Sequence, residues 1–140
     1  MTELTTTAAQ LRARIIANSH KSATPHLGSC LSCVDILTAL YFSVLRINPE
    51  QPDDPLRDRC ILSKGHGAPA LFQVLAERGY YPHELMDNYG EDGGVFAEHP
   101  PTPEHLPGIE AATGSLGHGL PIGLGMALAG RVNQHVYNVY

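Results

Sequence analysis

Three histidines stand in loop segments beside glycine or proline: His26 in PHLGS, His66 in SKGHG and His99 in EHPP. An imidazole can give and take a proton near neutral pH, so histidines placed in this way suit proton transfer or the binding of polar ligands. The glycines around His66 let the main chain approach a ligand closely, and the prolines after His99 restrict its backbone. The alternative for His66 is a histidine exposed to water in a tight turn.

A second glycine segment, ATGSLGHGLPIG at residues 112–123, leads into a helical pattern. A glycine loop that enters a helix can hold phosphate, because oriented N–H groups and the helix dipole meet the anion there. The segment lacks the lysine of a Walker sequence, which argues against a nucleoside triphosphate site. The alternative is that the glycines allow close helix packing, and we predict that role for Gly123, Gly125 and Gly130.

Cys30 and Cys33 have C-x-x-C spacing, which is compatible with half of a zinc site, a redox pair or two small side chains. The chain has three cysteines, an odd number that argues against a disulfide framework. A zinc site would need two more ligands, which Cys60 and a nearby histidine could supply.

The elements that must position these residues follow from apolar spacing and from glycine and proline breaks. We predict helices over residues 5–20, 32–47, 68–78 and 82–89 and over LPIGLGMALAGRV, with Gly79 as a C-cap. Residues 59–63 and 135–140 are predicted strands, and residues 22–32 and 90–108 are predicted loops. The predicted buried face of the second helix holds Val34, Leu37, Tyr41, Val44 and Leu45, widened by Ile36 and Leu40.

This order of elements predicts the fold class. Helices that alternate with short apolar strands indicate an α/β fold, with a parallel sheet flanked by helices. Ligands of such folds bind at the carboxyl ends of the strands, which is where the glycine loops lie. We therefore expect the chemistry of the chain in those loops.

Length and charge limit the class of protein. A chain of 140 residues suffices for one domain, and its net charge of −5 without a basic run argues against nucleic acid as a partner. No apolar run is long enough to cross a bilayer, and the N-terminus lacks the basic-then-apolar order of a signal peptide. We expect a cytoplasmic protein that does not contact membranes.

Taken together, SKGHG, EHP and TGSLGHG, in this order and spacing, resemble the N-terminal part of transketolase. The resemblance is to the split type, in which this half is a separate subunit. It extends from about Arg12 to the end of the chain. It implies the thiamine-diphosphate-binding fold, with residues 1–140 as the N-terminal, incomplete part of the domain that binds the diphosphate.

The resemblance also implies roles for particular residues. His66 matches a histidine that lies against the cofactor diphosphate, and the segment Gly114, Ser115 and Leu116 matches main chain that contacts the diphosphate and the aminopyrimidine. His26 and His99 match histidines that bind the sugar substrate and assist catalysis, although Pro25 and Leu27 replace the family's Gly and Pro beside His26. Cys30 and Cys33 fall where the family has small residues, and His118 stands where many members have Gln.

No metal ligand is expected in this chain. In the family, a G-D-G motif and a downstream Asn hold the Mg²⁺ or Ca²⁺ that bridges protein and diphosphate, and a glutamate in the other half of the enzyme activates the aminopyrimidine. The resemblance therefore implies a hetero-oligomer. Its active site would lie at a chain interface and be completed by complementary transketolase subunits.

The implied reaction is the transfer of a two-carbon ketol unit from a ketose to an aldose, with a sugar or sugar phosphate as substrate. Related alternatives are a ketol transferase of specialised metabolism or an enzyme like deoxyxylulose-phosphate synthase. A different class of alternative is a non-catalytic scaffold that keeps the fold. A small zinc or redox protein built on the C-x-x-C pair is a third.

Overall fold

The chain begins with a long amphipathic helix in the computed structural model, which describes residues 3–140. Helix α1 (Glu3–Ser22) buries Ala8, Leu11 and Ile15, which recur at helical spacing. Its first turn carries an acidic residue and its last turn carries basic ones, which complements the helix dipole. The predicted helix over residues 5–20 is confirmed, with two more residues at each end.

The predicted loop over residues 22–32 contains a short helix, α2 (Leu27–Leu31), so that part of the prediction is wrong. Helix α3 (Val34–Ala39) follows and continues as a π-helical segment (Leu40–Val44). Val34, Leu37 and Tyr41 are buried as expected, but Ile36 and Val44 are exposed. The wider π-helical turn breaks the α-helical period, so the face expected from a single helix does not extend through Val44.

Helix α4 (Ala68–Arg78) is the centre of the core, and every residue from Ala68 to Ala76 is buried. Pro69 stands in its first turn, where a missing N–H costs nothing, and Gly79 closes it in the left-handed conformation at φ 96°. The predicted bounds and cap are confirmed. Helices α1 and α3 pack against α4 and cover its apolar surface.

Residues 80–118 are mostly irregular and are held by aromatic packing. The segment includes short 3₁₀ turns at His83–Asn88 and Pro103–His105. The ring of Phe96 is buried against Phe72 of α4 and against Tyr81, with centroids 5.0 and 5.4 Å away. Phe96 thereby fixes the loop that carries His99, three residues further along.

Two extended segments run parallel to each other, as predicted, but they are shorter than the predicted strands. Arg59 forms an isolated parallel bridge with Val139. Arg59 donates to Asn138 O at 2.8 Å, Tyr140 donates to Arg59 O at 2.9 Å and Ile61 donates to Tyr140 O at 3.0 Å. The first segment leads into the glycine loop of His66, and its last residues bond to the other glycine loop, which precedes helix α5.

Helix α5 (Gly119–Val132) turns one face to the extended segments and leaves the other open. Gly123 lies against Val139 and Gly130 against Tyr137, so these glycines allow close packing on the terminal segment rather than on another helix. A Cβ at Gly125 would meet nothing within 4 Å, so the prediction for that glycine is wrong. No helix within residues 3–140 is long and apolar enough to span a membrane.

Candidate functional site

The imidazole rings of the three loop histidines lie together. The ring centroid of His66 is 4.7 Å from that of His26 and 4.8 Å from that of His99, each with an edge-on arrangement. The centroids of His26 and His99 are 6.3 Å apart. Three loops separated by dozens of residues thus present their imidazoles to one another, and all three rings are half-buried.

The local backbone structure that positions the side chain differs among the three histidines. His26 has a left-handed backbone, φ 74°, and immediately precedes α2, whose Cys30 N–H donates to His26 O at 3.2 Å. His66 lies in a single 3₁₀ turn (Gly65–Gly67) that runs into α4. His99 stands between the buried Phe96 and the buried Pro100. The rings meet because α2, α4 and the Phe96 loop all pack on the same core.

The glycine loops that contain His66 and Gly114 touch through their main chains. A Cβ built on Gly65 would lie 2.7 Å from Gly114 N and from Thr113 O, so any side chain there would collide with backbone. A Cβ on Gly114 would lie 3.0 Å from Cδ2 of His99. The absence of side chains at these two positions is what lets the loops and the His99 ring converge.

Two hydroxyl groups join the same loops. Thr113 Oγ1 donates to Leu62 O at 2.7 Å, and Gly119 N–H donates to Ser63 Oγ at 3.1 Å. Neither hydroxyl was among the groups expected at the site from the sequence. The available signal was their position, since Ser63 directly precedes KGHG and Thr113 directly precedes GSL.

The segment between Thr113 and Gly119 offers hydrogen-bond donors. Within the described chain, the N–H groups of residues 114–117 make no hydrogen bond to other protein groups. Ser115 is exposed, and Leu116 is 68% exposed. Gly114 adjoins His99, and the exposed Ser115 and Leu116 follow it in the turn that precedes α5. His118 is also exposed and is not part of the cluster.

Cys30 and Cys33 are packed as small side chains around the His66 loop. Cys30 is buried, with its thiol 3.9 Å from His66 O, and Cys33 Sγ would be 3.1 Å from a Cβ on Gly67. Burial raises the pKa of the Cys30 and Cys33 thiols and raises that of Cys60 to about 11. In residues 3–140, no group of three or more His, Cys, Asp or Glu is arranged to hold a metal ion, so the zinc alternative has no ligand set there.

Comparison with known proteins decides the family. The family model described as "Transketolase, thiamine diphosphate binding domain" matches residues 4–139. The chain belongs to the transketolase family. The match includes every loop described above, so the resemblance in SKGHG, EHP and TGSLGHG is confirmed.

Two curated transketolase relatives are subunits of split enzymes. One of them, from the apulose-4-phosphate transketolase of Phocaeicola vulgatus, is 41% identical over 129 residues, which are 92% of this chain and 45% of that protein. The other, from the 6-deoxy-6-sulfo-D-fructose transketolase of a Clostridium species, is 43% identical over 115 residues, which are 82% of this chain and 42% of that one. The chain thus spans less than half the length of each of these two relatives.

The fold of transketolase is shared as well. The solved transketolase of Leishmania mexicana superimposes on this chain with a TM-score of 0.89 at 24% identity, covering 100% of this chain and 22% of that one. The predicted thiamine-diphosphate-binding α/β fold is therefore confirmed. In residues 3–140 it is represented mainly by its helices and a single parallel bridge.

Proposed function

We propose that the chain is a transketolase-like subunit that transfers a two-carbon ketol unit from a ketose to an aldose, with thiamine diphosphate and a complementary chain. The observation that carries this proposal is the meeting of His26, His66 and His99 beside Gly114, with ring centroids no more than 6.3 Å apart. A scaffold has no need for three loop histidines that converge. We therefore favour the catalytic function over the scaffold alternative.

The residues present fit a diphosphate. The four consecutive N–H groups of residues 114–117, which have no protein partner among residues 3–140, and the imidazole of His66 are the donor types that an anion of this kind requires. Gly114 leaves room for close approach, because it has no side chain beside His99. When bound, thiamine diphosphate supplies an electron sink for C–C bond cleavage. His66 and the main chain of Gly114, Ser115 and Leu116 would hold it.

His26 and His99 are assigned to the sugar. Their rings flank that of His66 and are half-buried, so each keeps an accessible part that would be available to a polyol bound beside His66. An imidazole can donate to one hydroxyl and accept from another, and it can hold a proton close to the reacting atoms. We assign them to orienting the ketose and to proton transfer at its hydroxyl groups.

A complementary chain would close the site. The open face of α5 carries Leu120, Leu124, Leu128 and Val132, each more than half exposed. Leu116, in the proposed cofactor segment just before the helix, is exposed as well, and we call these five residues the apolar strip. A helix that is apolar on nearly all sides is normally buried, and a chain that covers the whole strip would also cover Leu116 of the cofactor segment. We propose that the occupant is the complementary transketolase subunit.

The metal and the substrate complete the proposal. The Mg²⁺ or Ca²⁺ that bridges the diphosphate would be held by a G-D-G motif and an Asn outside residues 1–140, and the glutamate that activates the cofactor ring would come from the partner. Two relatives are named for phosphorylated and sulfonated sugars, which supports a sugar or sugar phosphate as substrate.

The test is to purify the chain with the product of the adjacent reading frame and to assay ketol transfer between ketose phosphates and aldehyde acceptors. We expect transfer that requires added thiamine diphosphate and a divalent cation. His99→Ala should lower kcat/KM at least about 100-fold, and His105→Ala, at an exposed histidine of the same loop, should leave it nearly unchanged. A complex that binds neither cofactor nor sugar would overturn the proposal.

A further inference from the structure

Two hydroxyl hydrogen bonds connect the loops that contain His66 and Gly114, and we call them the cross-loop bonds. One joins Thr113 Oγ1 to Leu62 O at 2.7 Å, and the other joins Gly119 N to Ser63 Oγ at 3.1 Å. Leu62 and Ser63 are adjacent and lie just before KGHG. Thr113 and Gly119 stand at the two ends of the segment GSLGH. Both ends of the loop that contains Gly114 are therefore bonded to two adjacent residues, Leu62 and Ser63, at the start of the loop that contains His66.

The cross-loop bonds join the two loops, which main-chain hydrogen bonds among the described residues do not. The described structure has no main-chain hydrogen bond between the two loops: His118 N donates to Ser115 O within the segment, and His118 O accepts from Ile122 N of α5. Residues 115–118 are exposed, and Gly114, Gly117 and Gly119 are glycines with little conformational preference. Without the two hydroxyls, no described hydrogen bond would join the loop of Gly114 to the loop of His66.

Close packing makes each bond sensitive to the residue type. A Cβ on Gly119 would lie 2.5 Å from Ser63 Cβ, so the start of α5 is pressed directly against Ser63. The Ser63 hydroxyl also accepts from one of the first N–H groups of α5, which have no partner within the helix. Because Gly65 touches Gly114 and Thr113, a shift of one loop is passed directly to the other.

We propose that Thr113 and Ser63 are positioning residues, which hold the N–H groups of residues 114–117 at a fixed position relative to His66. This inference rests on the proposed function, since the positioned groups are those assigned to thiamine diphosphate. Thr113 and Ser63 act through Gly114 and His66 and need not contact the cofactor.

The test uses the chain in complex with its complementary subunit. Thr113→Val keeps the shape of the side chain and removes the donor. We expect it to raise the Kd and the KM for thiamine diphosphate about 10-fold, with kcat at saturating cofactor within about twofold of the original. Thr113→Ser, which restores the hydroxyl, should recover most of the affinity. Ser63→Ala should resemble Thr113→Val.

Thr38→Val is the matched control. Thr38 Oγ1 donates to Val34 O at 2.7 Å, the same bond length, but within α3 and away from the loops. It should lower the melting temperature without changing cofactor affinity. Amide exchange followed by mass spectrometry gives a readout that does not require cofactor. Thr113→Val should speed exchange at residues 112–119, and Thr38→Val should not.

The outcomes separate the two proposals. If Thr113→Val binds cofactor as the original chain does and exchange at residues 112–119 is unchanged, the positioning inference is wrong. If the original complex fails to bind thiamine diphosphate, the proposed function is wrong, and the exchange comparison between Thr113→Val and Thr38→Val still decides whether the hydroxyl holds the loop.

Discussion

The ring of His66 stands edge-on to the ring of His99, with centroids 4.8 Å apart and planes inclined at 79°. Residue 66 lies in the turn that leads into α4 and residue 99 lies in an irregular loop, so their contact depends on the tertiary fold. The arrangement leaves both imidazoles half-buried and free of a carboxylate partner among residues 3–140. Such rings are available to a ligand rather than committed to the core.

The first prediction concerns His66. His66→Ala removes the imidazole proposed to donate to the diphosphate and should weaken thiamine diphosphate binding about 10- to 100-fold, as expected for a hydrogen bond to a charged group. Titration calorimetry on the complex measures it. His20→Ala removes an exposed histidine at the end of α1 and should leave the affinity unchanged. Equal affinities for the two variants would contradict the assignment.

A second prediction compares two glycines near the site. Gly114→Ala places a Cβ 3.0 Å from Cδ2 of His99, so we expect the ring to move and ketol transfer to fall at least about 10-fold. Gly28→Ala is the control, because a Cβ there meets nothing within 4 Å, although the residue is only two positions from His26. Steady-state kinetics on both variants decide the point. Retention of full activity by Gly114→Ala would show that the close approach is unimportant.

The apolar strip on α5 leads to a prediction about assembly. Leu124→Asp introduces a charge at a position that is 60% exposed in this chain and that we expect the complementary subunit to bury. It should weaken association at least about 100-fold, as measured by analytical ultracentrifugation of the mixed chains. Ile36→Asp, at a residue 62% exposed on α3, is matched in exposure and should associate normally. If both variants assemble equally well, the strip is not the interface.

Stability in acid should depend on Asp58. Its side chain is 1% exposed and accepts from the main-chain N–H groups of Arg46 and Asn138 at 2.9 and 2.8 Å. Burial alone would raise the pKa of Asp58, but hydrogen bonds from the side chain and main chain of Arg46 and from Asn138 outweigh it and hold the pKa at about 2.

Because this pKa is below the ordinary value of 3.8, the carboxylate stabilises the fold fully above about pH 4 and loses that effect as the pH falls toward 2. Asp58→Asn should cost about 2 kcal/mol at neutral pH and flatten the acid limb of the unfolding free energy. Denaturant unfolding across this pH range measures both effects. Asp35→Asn, whose side chain is 65% exposed, should change neither appreciably.

The thiols provide a final prediction. Cys30 and Cys60 are 1% and 7% exposed, and burial raises the pKa of all three cysteines. Because the thiolate is the reactive form, iodoacetamide should modify the native chain slowly at neutral pH and modify all three cysteines after denaturation. Rapid native labelling of the C-x-x-C pair, or zinc in an elemental assay, would revive the zinc and redox alternatives.

Much of the local structure was determined by the sequence itself. The bounds of α4 and the Gly79 cap follow from an apolar period, a proline in the first turn and a glycine able to adopt positive φ, all of which are local properties. The loop motifs around His26, His66 and His99 could be recognised for the same reason. Glycine and proline act on the main chain within one or two residues of themselves.

Other features were decided only by the tertiary structure. The exposed face of α5 and the exposure of Ile36 could not be read from apolar spacing, because spacing marks what a face can bury and not whether a neighbour is present to cover it. The cross-loop bonds of Ser63 and Thr113 join residues more than fifty positions apart, and hydroxyl groups are common in any sequence. The contact between the three imidazole rings likewise required the packing of α2, α4 and the Phe96 loop on one core, because only packing brings distant parts of a chain together.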